Sequence, residues 1–90
     1  MEIRHLLISG LVQGVGYRYQ MTVAARRLGI AGWVRNRVDG SVEAMVSGSA
    51  EAVAAIVQWA RQGPPDAQVT HVAVELGAGC FQGFEQRPSA

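Results

Sequence analysis

Apolar and β-favouring residues dominate the chain from Arg4 to Val12, and the run closes on Gln13-Gly14-Val15-Gly16. That pattern predicts a strand followed by a glycine loop. From Tyr17 the period changes. Tyr17, Met21, Ala24, Ala25 and Leu28 recur at the spacing of one helical stripe, and Gly29 follows as a C-terminal stop. Two short strands, Ala31 to Val38 and Ser41 to Ser47, are then joined by Asp39-Gly40, a pair suited to a tight hairpin with both central residues at positive φ. The second strand alternates Val42, Ala44 and Val46 against Glu43, Met45 and Ser47. Ser49 is placed to cap a second helix with the stripe Val53, Ile56, Val57 and Ala60, which Gly63-Pro64-Pro65 ends. Gln68 to Leu76 reads as a strand with Val72, Val74 and Leu76 on one face, and Phe84 to Arg87 as a short fifth strand.

The order β-α-β-β-α-β with a short extra edge strand predicts an α+β fold. Two helices on one face of an antiparallel sheet make a two-layer, ferredoxin-like sandwich. Ninety residues suit a single domain spanning 1–90, and 49% apolar with 17% charged residues argues against disorder. Cys80 is the only cysteine, so no internal disulfide is expected, and a reducing, cytoplasmic compartment fits best. Met1 to Leu11 carries Glu2, Arg4 and His5 and reads as neither a signal peptide nor a membrane span. A net charge of +1 is too balanced for a sequence-blind nucleic-acid binder, and no nucleic-acid or membrane partner is expected.

That fold hosts many functions, so chemistry must be read from sites. The junction Gly10-Leu11-Val12-Gln13-Gly14-Val15-Gly16-Tyr17-Arg18 puts a strand end, a glycine loop and a helix start in succession. Backbone amides in such a loop converge on one point, the helix start adds unpaired donors, and Arg18 adds a planar cationic fork. An unpaired arginine there would oppose the helix dipole by about 0.3 to 1 kcal/mol, and an anion reverses that sign. The Gly-Lys-Ser/Thr ending of a Walker A loop is missing. The alternative is a connection that uses glycines for its turn, with Arg18 a solvated first-turn residue.

The second candidate is Asn36, in the row of Val34 and Val38 near the hairpin end. It either faces a site or bonds the turn backbone. Arg35 and Arg37 point the other way and are expected to be solvated. His5 and His71 have no partner at metal-ligand spacing and are expected to be surface or structural; no metal or cofactor is expected.

The two segments together resemble the acylphosphatases. Ile8 to Arg18 is similar to that family's first signature, and Gly32-Trp33-Val34-Arg35-Asn36-Arg37-Val38-Asp39-Gly40-Ser41-Val42 with Gly48 to its second. The resemblance extends to the closing Gly83-Phe84-Glu85. Tyr17 stands where the family most often has phenylalanine, and Gln86 makes the last strand more polar than usual. The resemblance implies hydrolysis of the carboxyl–phosphate bond of acyl phosphates. Arg18 and the loop Gln13, Gly14, Val15, Gly16 and Tyr17 would hold the phosphoryl group, and Asn36 would position the attacking water. Inorganic phosphate would be both product and competing ligand, and a monomer is the default. The chemistry agrees with such a site, because a carboxylate leaving group with a pKa near ~4 departs unprotonated and needs no general acid. An RNA-recognition module has the same element order, but the third strand lacks stacking aromatics. A domain that only binds an acyl phosphate for a partner enzyme is separated from an enzyme by turnover.

Overall fold

In the computed structural model, which describes residues 1–90, the glycine-divided segments form β1 (Glu2–Leu11), α1 (Tyr17–Leu28), β2 (Ala31–Asn36), β3 (Val42–Gly48), α2 (Ala50–Gln62), β4 (Gln68–Leu76) and β5 (Phe84–Gln86). The sheet runs β4-β1-β3-β2-β5. Both helices lie on one face, α1 over β2 and β5, α2 over β1, β3 and β4. This is the expected ferredoxin-like sandwich. Its core joins Leu6 and Ile8 of β1, Val34 of β2 and Val42, Ala44 and Val46 of β3 to Tyr17, Met21 and Ala25 of α1 and Val53, Ile56 and Ala60 of α2. The period-2 and helical stripes of the sequence therefore supply the core face, except that Leu28 at the end of α1 and Val74 on β4 are 36% and 37% exposed, and Glu43 and Ser47 on the opposite face of β3 are buried too. Tyr17 reaches furthest. Its hydroxyl donates to Ala60 O at 2.8 Å, and its ring meets that of Trp59 at 5.2 Å between centroids, which ties the start of α1 to the end of α2.

The helix ends obey their local signals. Ser49 Oγ accepts from Ala52 N–H at 3.1 Å at the start of α2, and Gly29 and Gly63 close the two helices. The hairpin differs from expectation. β2 stops at Asn36 and β3 starts at Val42, and no residue other than glycine has positive φ. Asp39 instead accepts from the Ser41 amide at 3.0 Å and the Ser41 hydroxyl at 2.6 Å, a side-chain turn that replaces the two-residue hairpin. Val38 thus leaves the strand row and is 91% exposed. Leu76, expected on the face of Val72, is 82% exposed, because β4 is an edge strand and Leu76 ends it.

Only β5 departs from antiparallel pairing. The connection after β4 starts where Gly77 N–H donates to Ile3 O and finishes where Gly32 N–H donates to Gly83 O. It therefore passes from one sheet edge to the other at a single end, and β5 enters in the direction of β2, pairing Gly32 with Phe84 and Val34 with Gln86. Gly32 sits where β2 and β3 approach closely, at φ +138°, and an added Cβ would lie 1.8 Å from Met45 O. Neither backbone can yield without breaking the ladder. Gly32→Ala is expected to destabilise the fold by at least about 3 kcal/mol, lowering Tm by roughly 12 °C or more. A thermal melt showing a fall of only a few degrees would contradict this packing.

Candidate active site

β1 ends in a register shift between Ser9 and Gly10, and the chain then turns through Val12 to Gly16 into α1. Gly14 and Gly16 adopt φ +75° and +80°, and a Cβ at either would meet nothing within 4 Å. These glycines answer a need for left-handed backbone on an open side, not for space against the protein. No amide from Gln13 to Tyr19 donates a hydrogen bond within the chain; the first one donated by the helix is Gln20 N–H to Gly16 O at 3.0 Å. Gly16 caps α1 without a side chain, and the first turn contains no acid. The result is a run of unpaired donors at the positive end of a helix dipole.

A recess of about 130 Å³ opens against this run, lined by Val12, Gly14, Gly16, Tyr17, Arg18, Tyr19, Asn36 and Gln86. The Arg18 side chain is half-buried and has neither a carboxylate nor another hydrogen-bond partner in the protein. The two other partnerless arginines, Arg27 and Arg61, are exposed on the helices. Asn36 borders the same recess with a buried Oδ1 that has no partner, so it does not bond the turn backbone. No acidic, histidine or cysteine side chain lines the recess. Tyr17 offers no proton there either, since burial pushes its phenol well above the ordinary value and its hydroxyl is committed to Ala60 O.

Arg18, Asn36, Gly14, Gly16 and Tyr17, drawn from both sequence segments, thus meet at one recess. Gln13 and Val15 belong to the loop but do not line it, and the Gln13 side chain points to the β2–β3 connection. Sequence patterning did not single out Tyr19 or Gln86 for this wall. Alternation offered a signal for Gln86, which pairs with Val34 and so shares the helix-side face with Asn36.

Arg35 and Arg37 were expected in solvent, and the structure corrects this. On the sheet face away from the helices, Arg35 Nε lies 2.7 Å and Arg37 Nη1 3.4 Å from Glu43 Oε1, while His5 Nε2 lies 2.6 Å from Oε2. The shared partner is a β3 carboxylate only 7% exposed, across the hairpin from Arg35 and 38 positions from His5. His5 is accordingly structural. Arg35 and Arg87 also flank the Trp33 ring at 4.8 and 5.1 Å, closing that face.

The sequence model of the acylphosphatase family matches residues 4–85. An acylphosphatase of Acidovorax sp. (strain JS42) is 62% identical over 85 residues, covering 93% of this chain and 88% of that protein. One of Thiobacillus denitrificans (strain ATCC 25259 / T1) is 55% identical over 87 residues, covering 97% and 98%. The crystal structure of acylphosphatase from Bacillus subtilis superposes with a TM-score of 0.92 at 32% identity, over 97% of this chain and 99% of that one.

Burial raises the Glu43 pKa, but the hydrogen bonds from His5 and Arg35 and their Coulomb attraction outweigh it and hold the carboxyl below its ordinary value. A depressed folded pKa contributes stability that is present above the unfolded value and lost as pH falls through the folded one. The stability difference between the native protein and Glu43→Gln should therefore shrink as pH is lowered from ~5.5 to ~3. Denaturant titrations giving the same difference across that window would contradict the assignment.

Proposed function

The chain belongs to the acylphosphatase family and hydrolyses the carboxyl–phosphate bond of acyl phosphates; from that premise we propose how its residues perform the reaction. The loop amides of Gln13 to Tyr17 and the Arg18 guanidinium hold the non-bridging phosphoryl oxygens, and Asn36 orients the attacking water. One observation carries this reading: a single recess is lined by Gly14, Gly16, Tyr17 and Tyr19, whose amides are unpaired, by the half-buried, partnerless Arg18 and by Asn36 with its buried, partnerless Oδ1. Unpaired donors suit an anion, and an unpaired acceptor suits the O–H of a water.

Water attacks phosphorus as the bond to the acyl oxygen breaks, and the bonding pair leaves with the carboxylate. The water's proton passes to a phosphoryl oxygen. A carboxylate with a pKa near ~4 departs unprotonated, so a recess without an acid suffices. The protein contributes positioning and stabilisation of charge on the equatorial oxygens. Arginine and amides supply that charge, and hydrolysis is metal-independent on this reading. We further place the activity in a single domain spanning residues 1–90, working as a cytoplasmic monomer, with inorganic phosphate as product and competing ligand. No helix is long and apolar enough to cross a membrane.

Phosphate release from acetyl or benzoyl phosphate is expected to persist in excess chelator, and phosphate monoesters should turn over far more slowly because their alkoxide leaving groups need an acid. Loss of activity with chelator, or equal rates on both classes, would overturn the mechanism.

The two key residues should separate by role. A ligand specific for the native state stabilises it by about 2.7 kcal/mol at one hundred times its Kd, so melts in phosphate report binding. Arg18→Ala should lose most of that response and at least roughly 10²- to 10³-fold in kcat. Asn36→Ala should lose kcat strongly and keep the phosphate response, with unchanged circular dichroism. Near-normal kcat in folded Asn36→Ala would remove the asparagine from the reaction.

A further inference from the structure

We propose that the side chain of Gln13 is the positioning residue that sets the distance between the phosphate-holding and water-holding halves of the site, an inference that rests on the roles proposed for Arg18 and Asn36. Gln13 belongs to the loop by its main chain, yet its carboxamide is used elsewhere. Its Nε2 donates to Arg37 O at 2.8 Å and to Ser41 O at 2.9 Å. Both carbonyls stand at the throat of the β2–β3 connection, where Arg37 N–H also donates to Ser41 O at 2.8 Å. Arg37 directly follows Asn36, and Ser41 precedes Val42, the register partner of Asn36.

Topology makes this contact matter. The loop leaves β1, Asn36 ends β2, and β3 lies between those strands, so no ladder joins the two halves directly. The Gln13 amide crosses that gap with both of its protons satisfied. Asn36 has no equivalent restraint of its own, because its Oδ1 is unpartnered. A neutral group of this length with two protons on one nitrogen fits two facing carbonyls. A carboxylate would set acceptors against acceptors, and a thioether would offer no donor. Reacting atoms must be held about 3 to 3.5 Å apart, and a displacement of about 1 Å costs on the order of 10²-fold in rate. The Gln13 side chain thus acts on the reaction through Asn36 and itself touches neither substrate nor water, whatever the main-chain amide of the same residue contributes to the loop.

The test is a double-mutant cycle of Gln13→Met with Asn36→Ala, assayed on benzoyl phosphate, alongside phosphate-dependent melts. Gln13→Met keeps side-chain length and removes both donors. It is expected to lower kcat by roughly 10- to 100-fold and leave the phosphate Kd within about twofold, since the loop amides and Arg18 remain. In the Asn36→Ala background the same change should lower kcat by less than about threefold, because the residue it positions is gone. Gln13→Glu, of the same shape, should lose kcat at least as far as Gln13→Met. The phosphate-induced rise in Tm shows that each variant is folded. A merely structural role would lower Tm and multiply the same kcat loss into both backgrounds, which overturns the proposal. A phosphate Kd that rises in parallel with the kcat loss overturns it too, by making Gln13 a ligand contact. If Asn36→Ala loses kcat and Gln13→Met does not, the positioning role alone fails. If Asn36→Ala keeps kcat, the water-holding reading fails and takes this inference with it.

Discussion

The amides from Gln13 to Tyr19 have no acceptor inside the protein, and much of the structure serves to keep them so. The second helix provides the contrast within the same chain. At its start Ser49 supplies a side-chain oxygen and Glu51 a first-turn acid, the usual ways to discharge a helix N-terminus. The first helix has a glycine at the capping position, no acid in its first turn and an arginine there instead. Each of those choices leaves positive potential exposed at one point. Such an end is stable because the opposite side of the helix is anchored, with Tyr17 fully buried and bonded to Ala60 O. Packing holds the helix where capping does not.

Strand parity then separates two kinds of charge. Along β2 the side chains alternate, so Val34 and Asn36 face the helices while Trp33 and Arg35 face away. The Arg35 and Arg37 cations are matched by the buried Glu43 carboxylate on the far side of the sheet, and the Arg18 cation on the near side is matched by nothing. A shift of one residue in the β2–β3 register would exchange these faces, placing an arginine in the recess and the asparagine among the ions. The ladder that pairs Asn36 with Val42 and Arg35 with Glu43 is therefore a functional constraint as well as a structural one.

What could be read in the sequence was what short-range physics determines. Gly16, Gly29, Ser49 and Gly63 act within a turn of themselves, and the helices begin and end at them. The segment from Gly10 to Arg18 carries its chemistry in consecutive residues, so its donors and its arginine were visible without coordinates. Asn36 was legible as a polar interruption of a strand row, although its neighbour Val38 left that row when Asp39 closed a side-chain turn with Ser41. Three features were hidden because their partners are distant in sequence. Glu43 meets His5 across 38 positions, Gln13 reaches Ser41 across 28, and Gln86 arrives at the recess only because the connection after β4 delivers β5 beside β2. Alternation names the face of such a residue, and only the sheet order names what it will find there.

A net charge of +1 conceals how unevenly the charge is used. Glu2, Asp39, Glu43 and Glu85 each lie within ion-pair distance of an arginine, and none borders the recess. Acids are spent on arginines that shape the scaffold, so the site keeps one uncompensated cation and a set of neutral amide dipoles. This modest field is matched to an easy leaving group. Expelling an alkoxide would require a proton donor or a metal ion held by acids, and either would bring carboxylates against the incoming phosphate. A carboxylate leaves without such help, so the recess can exclude acids altogether, and a sheet with two helices is scaffold enough to hold what remains.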